Sequence, residues 1–366
     1  MSTYRPFVNL GPGDTIREEM AHYNWEQKDF AEIMGLSEKH VSHLLNNKVP
    51  VTYETACQLS KVFKQSPQFW MNLDTNFRQR LQESAKVKDT EARALIYRYM
   101  PVRELRKRIK LPRKMDAMIE AVKAFWKIKT LDFSFLEKQA VYFRKSEKGK
   151  SFNPYYALTW VQLSRNTLND NLPHAKYDRS RLQKLADAMP EYSVAHNGVI
   201  EFLKELNECG VVFRQIDHFQ QTYADGASFF DEGRPVVVYA ARYDRTDNFW
   251  FTMAHELGHI LLHEKNQSRV FIDSLDNLDL TNAFEQEANL FASEKLKSEE
   301  ILDEFEKVRR PSAAQVLTVS KQLGIAPEIV AGCLQHHGQA RWSSFSALKT
   351  EIRPLLKAWE VAQCAE

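Results

Sequence analysis

The sequence predicts a mainly α-helical protein. It is expected to have an all-α N-terminal domain, a helical middle and a C-terminal α+β domain with a small sheet. Residues 12–70 contain short helical patterns of apolar residues separated by tight breaks. Residues 84–190 show helical periodicity that is interrupted near prolines. Residues 211–243 contain three short runs rich in valine and aromatic residues, which is typical of β-strands.

Length and composition indicate a soluble globular chain of two or three domains. The 366 residues are 43% hydrophobic and 27% charged, and the net charge of +2 favours no class of partner. The four cysteines form no CxxC pair, which excludes a disulfide framework and a thiolate zinc site. No signal peptide and no apolar stretch of about 20 residues is present, so we expect a cytoplasmic protein without membrane contact.

The N-terminal helices follow one another with the spacing of a helix-turn-helix. Phe30, Ile33 and Met34 give one helix an apolar face, and Gly35 is placed to end that helix. Ser37 can cap the next helix by accepting hydrogen bonds from free backbone N–H groups. The outward-facing residues of this second helix are Lys39, His40, Ser42, His43 and Asn46. Such side chains suit base edges in the major groove, but a small helical bundle with a solvated polar face remains the alternative.

The stretches PGDTIREEM, EQKDFAEIMGLSEKHVSHLLNNKVPVTYETACQLSKVF and SPQFWMNL resemble the Cro/repressor-type helix-turn-helix of HigA-type antitoxins. The positions that match the family's motif are Gln27, Ala31, Gly35, Leu36, Ser37, Asn47, Lys48 and Trp70. The resemblance implies a homodimer that reads a palindromic operator in double-stranded DNA. It also implies that Gln27 contacts phosphate, that Lys39, His40, Ser42 and His43 face base edges, and that Asn47 and Lys48 lie near the DNA backbone.

The middle of the chain carries no motif with a clear chemistry. Its one strongly charged stretch, RELRKRIKLPRK at residues 103–114, is typical of a solvated helix face. Beside a DNA-binding element, the same stretch could also contact phosphates. We therefore interpret residues 84–190 as a helical spacer between two functional ends.

The stretch TMAHELGHILLHEK, residues 252–265, places histidines within an apolar helical pattern. His255 and His259 are four residues apart, so they lie on one helix face and can bind one metal ion. Glu256, next to the first histidine, can take a proton from metal-bound water, as in the HExxH motif of zinc peptidases. We expect Gly258 to leave room beside the metal. The alternatives are core histidines hydrogen-bonded to backbone and a site that has lost its metal.

A second helix, NAFEQEANLFASEKL, offers a third ligand. Glu285 has the position of the third ligand in zinc peptidases of the glutamate class, and Asn289, one turn on, can hold a ligand histidine in place. Glu287 is an alternative ligand, but it faces away from Glu285. His263 either supports the site from outside the ligand set or caps the helix end.

Three motifs resemble the ImmA/IrrE family of metallopeptidases: DNFWFTMAHELGHILLHEK, FEQEANLFA and GIAPEIVAGCLQHHG. The resemblance covers residues from about 190 to 350, and it implies a zincin-like fold, bound Zn²⁺ and hydrolysis of a peptide bond in a regulatory protein. Two departures are SEKLKSEE, where the family has a small-residue turn, and Cys333 in place of an arginine. His336 and His337 are either surface histidines or contributors to an oxyanion site.

The two resemblances together predict the domain order and the function. The expected domains are a helix-turn-helix domain at 1–83, the helical linker at 84–190, a zincin-like peptidase domain at 191–345 and a C-terminal tail at 346–366. The protein would repress its own operon, and its zinc peptidase would cleave this chain itself, a partner regulator or a cognate toxin. We expect the strand at residues 234–243 to be an edge strand that holds substrate. The alternative is a non-enzymatic antitoxin whose zincin-like domain binds or senses a toxin or another ligand.

Overall fold

The computed structural model describes residues 9–82, 86–140, 152–168, 175–266, 270–273 and 283–361. The chain divides into two units, residues 1–95 and 96–366. Most of the region predicted as a helical linker, from residue 96 to residue 190, therefore belongs to the second unit. The predicted fold class is confirmed, because the elements are mainly helices and the second unit contains a small sheet.

The first unit consists of short helices whose ends are set by local sequence. They are α1 Pro12–His22, α2 Gln27–Met34, α3 Glu38–Leu45, α4 Tyr53–Phe63 and α5 Pro67–Gln82. Gly35 ends α2 with φ at 63°, a left-handed conformation that glycine adopts without steric cost. Ser37 caps α3, because its hydroxyl accepts a hydrogen bond from the backbone N–H of His40 at 3.2 Å. The predicted turn between the two helices is therefore present.

The first unit has its own apolar core. Its members are Ile16, Met20, Phe30, Ala31, Met34, Val41, Leu44, Leu45, Val51, Ala56, Leu59, Phe63 and Trp70. The expectation that Ile33 faces inward is wrong, since 45% of this residue is exposed. The buried stripe of α2 is centred on Ala31 and Met34, and residue 33 lies roughly 100° around the helix from it.

The second unit surrounds its sheet with helices. Those before the sheet are α6 Lys86–Tyr99, which contains the boundary between the units, α7 Val102–Leu105, α8 Met115–Trp126, α9 Ser134–Ala140, α10 Pro154–Asn166, α11 Arg179–Asp187, α12 Met189–Val194 and α13 Gly198–Glu208. Those after the first three strands are α14 Thr246–Leu262, α15 Ala283–Lys295, α16 Ser298–Phe305, α17 Ala313–Leu323, α18 Pro327–His336 and α19 Arg353–Leu356. The predicted C-terminal tail joins this core through Ile352 and Leu356, which are both buried.

The sheet has the order β1-β3-β2-β4. Its strands are β1 Val212–Gln215, β2 Gly226–Asp231, β3 Arg234–Tyr239 and β4 Val270–Asp273. β3 runs parallel to β1 and antiparallel to β2, while β4 pairs antiparallel with β2. The expectation of an edge strand at residues 234–243 is therefore wrong. The long apolar run of β3 reflects its central position, because a central strand is buried on both faces.

Helix α14 is buried along most of its length, and α15 packs closely against it. Gly258 makes this possible, since a Cβ atom there would lie 3.2 Å from the Cα of Ala288 and 3.2 Å from the ring of Phe291. The expectation that Gly258 leaves room beside a metal is wrong. The glycine faces the neighbouring helix, and the close approach of α15 brings Glu285 towards α14.

Across the described ranges, no helix is both long enough and apolar enough to cross a lipid bilayer.

We predict that Gly258→Leu lowers the free energy of unfolding by about 1–3 kcal/mol, because the new side chain must push α15 away from a close-packed contact. Urea denaturation followed by circular dichroism measures the change. Leu290→Ala is the control, since Leu290 lies on α15, the helix that the new side chain must push away, and is exposed. A Gly258→Leu protein as stable as this control would show that the helices do not depend on the glycine.

Candidate metal centre and helix-turn-helix surface

Three side chains predicted as metal ligands converge between α14 and α15. The Nε2 atoms of His255 and His259 lie 3.0 Å apart, and both residues are buried. The Oε2 atom of Glu285 lies 3.5 Å from the first of these nitrogens and 3.8 Å from the second. One potential ligand atom from each residue therefore lies within 4.8 Å of the others. Two successive turns of α14 supply the histidines, and α15 supplies the carboxylate.

The opposite nitrogen of His255 is held by Asn289. Its Nδ1 lies 2.9 Å from Asn289 Oδ1, an atom that can only accept a hydrogen bond. The Nδ1 of His255 therefore carries the proton, and its Nε2 presents a lone pair towards His259 and Glu285. The structure thus brings Asn289 into contact with His255, a predicted metal ligand.

These residues fit a zinc ion. Two ligand atoms of a tetrahedral zinc site, each about 2.0–2.1 Å from the metal, lie about 3.4 Å apart, close to the separations found here. Two imidazole nitrogens and one carboxylate oxygen also form a donor set that suits zinc. Three protein ligands would leave a fourth position for water or substrate, as catalytic zinc sites do.

Glu256 is completely buried, and its carboxylate lies against Gly226 at the start of β2. A Cβ atom on Gly226 would overlap Glu256 Oε1 and would lie 2.7 Å from Cγ2 of Thr252. Residue 226 must therefore lack a side chain for the carboxylate to occupy this position. The sequence interpretation missed this role, although a glycine that begins a strand can mark a close approach.

His263 contacts the other ring nitrogen of His259, its Nδ1. Its Nδ1 lies 3.2 Å from Nδ1 of His259, and its Nε2 lies 2.8 Å from Oε2 of Glu287. Burial lowers the pKa of His263, and the hydrogen bond to Glu287 opposes that shift. Glu287 points to His263 and away from Glu285, as the sequence indicated. The position of His263 favours support of the site over simple capping of α14.

A cleft of about 730 Å³ lies beside this cluster. Its wall includes Phe251 and Asn289, so the residue that holds His255 also borders the cleft. His336 and His337 line the cleft and are exposed, and neither is among the three clustered ligands. Burial raises the pKa of the neighbouring Cys333 thiol to about 11, so this thiol is protonated at neutral pH.

The helix-turn-helix surface lies in the first unit. On α3, Lys39 and His40 are exposed, whereas Ser42 and His43 are half-buried. Gln27, at the start of α2, donates from Nε2 to the backbone oxygen of Glu38 at 3.1 Å. This bond links the first turns of α2 and α3.

The two residues predicted near the DNA backbone differ in their surroundings. Lys48 is exposed. Asn47 is half-buried with φ at 54°, accepts a hydrogen bond from the backbone N–H of Gly13 at 2.7 Å, and donates to Asp14 at 3.1 Å. Asn47 therefore has a structural role, since it joins the end of α3 to the start of α1.

Comparison with protein families identifies two domains. The family described as "Helix-turn-helix" matches residues 16–70, and the family described as "IrrE N-terminal-like domain", a Peptidase_M78 family, matches residues 208–332. The chain thus carries a helix-turn-helix domain near its N-terminus and an IrrE N-terminal-like domain near its C-terminus. The resemblances inferred from the sequence motifs are confirmed at this level.

Two curated proteins resemble the N-terminal region. An uncharacterized HTH-type transcriptional regulator of Escherichia coli K12, YddM, is 40% identical over 62 residues, which are 17% of this chain and 66% of that protein. An uncharacterized HTH-type transcriptional regulator of Haemophilus influenzae is 34% identical over 64 residues, which are 17% of this chain and 60% of that protein. The chain therefore spans just under two thirds of the length of these relatives.

Two solved structures resemble short parts of the chain. One is an addiction module antidote protein of a HigA family from Coxiella burnetii, with 25% identity, a TM-score of 0.20, and coverage of 20% of this chain and 83% of that one. The other is a putative antidote protein of a plasmid maintenance system from Nostoc punctiforme, with 24% identity, a TM-score of 0.22, and coverage of 24% and 93%.

We predict that the purified chain contains about one zinc ion, as expected for three converging ligands. His255→Ala and Glu285→Ala should each lose most of this zinc, because each removes a ligand. Inductively coupled plasma mass spectrometry measures the metal content. His337→Ala is the control and should retain zinc, since this histidine lies outside the cluster. Equal zinc in all four proteins would contradict the assignment.

Proposed function

We propose that this chain, which carries a helix-turn-helix domain and an IrrE N-terminal-like domain, is a DNA-binding transcriptional regulator with a zinc-dependent peptidase. The observation that carries the proposal is the convergence of His255, His259 and Glu285, with the buried carboxylate of Glu256 on the same helix. A structural core has no need for four ionisable groups within two helices. A hydrolytic metal site needs three ligands and a base.

The chemistry of the site follows from the placement of its residues. Zinc bound by the three ligands would lower the pKa of a coordinated water to about 7 and polarise a substrate carbonyl. Glu256 can accept a proton on its carboxylate and return it to the leaving amine. Gly226 leaves the space that this carboxylate occupies, and Asn289 would hold His255 in the tautomer whose Nε2 faces the other ligands. The substrate would be a peptide segment of a regulatory protein or of a cognate toxin.

The first unit would supply the DNA interaction. We infer a homodimer that places α3 of each protomer in the major groove of a palindromic operator, as helix-turn-helix proteins do. Lys39 and His40, which are exposed there, would contact base edges together with Ser42 and His43. Lys48 would contact phosphate, and Gln27 would do so through the Nε2 hydrogen that its bond to Glu38 does not use. Asn47 would act mainly by holding the end of α3 against α1.

The two proposed activities together would regulate transcription. The chain would repress its own operon, in the manner of HigA-type antitoxins. Cleavage of a regulator by the peptidase domain would then change the transcription that the DNA-binding domain controls. HTH-type transcriptional regulators among the relatives support the DNA-binding half of the proposal.

A second function is favoured by the cleft beside the metal cluster. Trp342 and Leu290 are both exposed on its wall, so the cleft presents two large apolar side chains to a ligand. In this alternative the zincin-like domain binds or senses a toxin or another ligand and does not hydrolyse it. The zinc ligands would then have a structural role only.

We predict that Glu256→Gln abolishes proteolysis but retains zinc, because the amide cannot take up a proton and is not a ligand. Cells expressing the native chain and the variant are compared by N-terminal peptide mass spectrometry, and a cleavage product should occur only with the native chain. Operator binding should be unchanged. Identical peptide profiles from cells with equal, zinc-loaded protein would favour the binding module.

We predict that Lys39→Ala and His40→Ala each weaken binding to DNA from upstream of the protein's own gene by about 1–3 kcal/mol, the usual value of a lost base contact. Fluorescence anisotropy at fixed salt measures the dissociation constants. Lys61→Ala is the control, because Lys61 is an exposed lysine on α4 and lies outside the recognition helix. An equal loss in the control would show a general charge effect.

A further inference from the structure

Two successive contacts lead from His259 towards solvent, the first to His263 and the second to Glu287. The Nδ1 atoms of His259 and His263 are 3.2 Å apart, and Nε2 of His263 lies 2.8 Å from Oε2 of Glu287. The first two residues are buried, whereas the Glu287 side chain is 59% exposed.

The order of these atoms fixes where the protons lie. An ionised glutamate can only accept, so His263 must carry its proton on Nε2 to donate to Glu287. The Nδ1 of His263 is then an acceptor. It can pair with Nδ1 of His259 only if that nitrogen carries a proton. The remaining nitrogen of His259, its Nε2, then carries a lone pair and no proton on the side of His255 and Glu285.

Two phenylalanine rings restrict the orientation of these imidazoles, so the main thing that can change is which nitrogen carries the proton. Phe271 stacks on His259 with ring centroids 4.2 Å apart and an interplanar angle of 13°. Phe284 meets the ring of His263 edge-on at 4.8 Å. Stacking on one ring and edge contact on the other restrict ring flips, so the tautomer decides which nitrogen of His259 offers a lone pair.

We propose that Glu287 is a positioning residue that sets the tautomer of His259 through His263, and so prepares Nε2 of His259 to bind the metal. This role rests on the proposed metal centre. Without an acceptor at residue 287, His263 can carry its proton on Nδ1. Two N–H groups would then face each other, and His259 would move its proton to Nε2, the atom needed by the metal.

The two ligand histidines are thus held in different ways. Asn289 acts on His255 in one step, whereas Glu287 acts on His259 through an intervening imidazole. The carboxylate and the imidazole nitrogen that it contacts are both distant from the metal-facing side of His259. A carboxylate is required at the end of this series of contacts because an amide can donate as well as accept, and so does not select one tautomer.

The test measures zinc affinity of the full chain by competition with a chromogenic chelator. We expect Glu287→Ala to weaken zinc binding 10–100-fold, the usual effect of losing the partner of a ligand histidine, and Glu287→Gln to weaken it less. Glu294→Gln is the matched control, because Glu294 is an exposed glutamate on the same helix whose partner is Lys295 at 2.8 Å. This control should retain native affinity.

A double-mutant cycle separates tautomer control from a direct effect of charge. In a His263→Ala background, Glu287→Ala should cause no further loss of zinc affinity, because the connection to His259 is already broken. An equal loss in both backgrounds would overturn the proposal. Long-range ¹H–¹⁵N spectra of the imidazoles give a second readout, and the zinc-loaded native chain should show His263 protonated on Nε2.

The experiment on the peptidase and the experiment on Glu287 measure different properties, so one proposal can fail while the other holds. Loss of proteolysis is tested by Glu256→Gln at constant zinc content, whereas Glu287 is tested by zinc affinity alone. A protein that binds zinc but cleaves nothing would leave the role of Glu287 intact. Native affinity in Glu287→Ala would overturn that role even if the peptidase is active, and a native chain without zinc affinity would overturn both.

Discussion

The candidate site depends on the close approach of α14 and α15. Gly258 permits this approach, because it faces the backbone of Ala288 and the ring of Phe291. A larger residue at 258 would push the helices apart, and Glu285 would move away from the two histidines on α14. Because metal ligands must lie within a few tenths of an ångström of their ideal distances, the chemistry of the site rests on a packing contact that contains no polar atom.

The same region places several ionisable groups inside an apolar core. Burial of a charged group without compensation costs several kcal/mol, so each such group needs a defined set of contacts. Asn289 and His263 provide them for the outer nitrogens of His255 and His259, and a bound cation would provide them for the inner nitrogens and for Glu285. A metal would therefore contribute to the stability of this core as well as to any reaction. The buried carboxylate of Glu256 fits the same pattern, since Gly226 gives it space that no other residue would leave.

In the first unit, some polar side chains support the fold and others are exposed for contact with another molecule. Asn47 and Gln27 occupy motif positions, yet the structure uses the side chain of Asn47 to join α1 to the end of α3, and that of Gln27 to join α2 to α3. These bonds keep the helices at a fixed angle, which a recognition helix requires. Exposed polar side chains on α3 are then free to contact another molecule. Some side chains hold the helices together and others are exposed for contact with another molecule, and one family motif can contain both kinds.

The sequence by itself determined the local features of this protein. Gly35 and Ser37 mark a helix end and a helix cap, and the spacing of His255 and His259 places them on one helix face, because these features depend only on neighbours along the chain. The pairing of Glu285 and Asn289 with those histidines was also predicted, since the second helix repeats a known motif. The tertiary structure alone decided which strand lies at the centre of the sheet, which neighbour Gly258 faces, and which atoms Gly226 and Glu287 contact. These contacts join residues far apart in the chain, and local periodicity carries no information about the partner across a helix interface or a sheet.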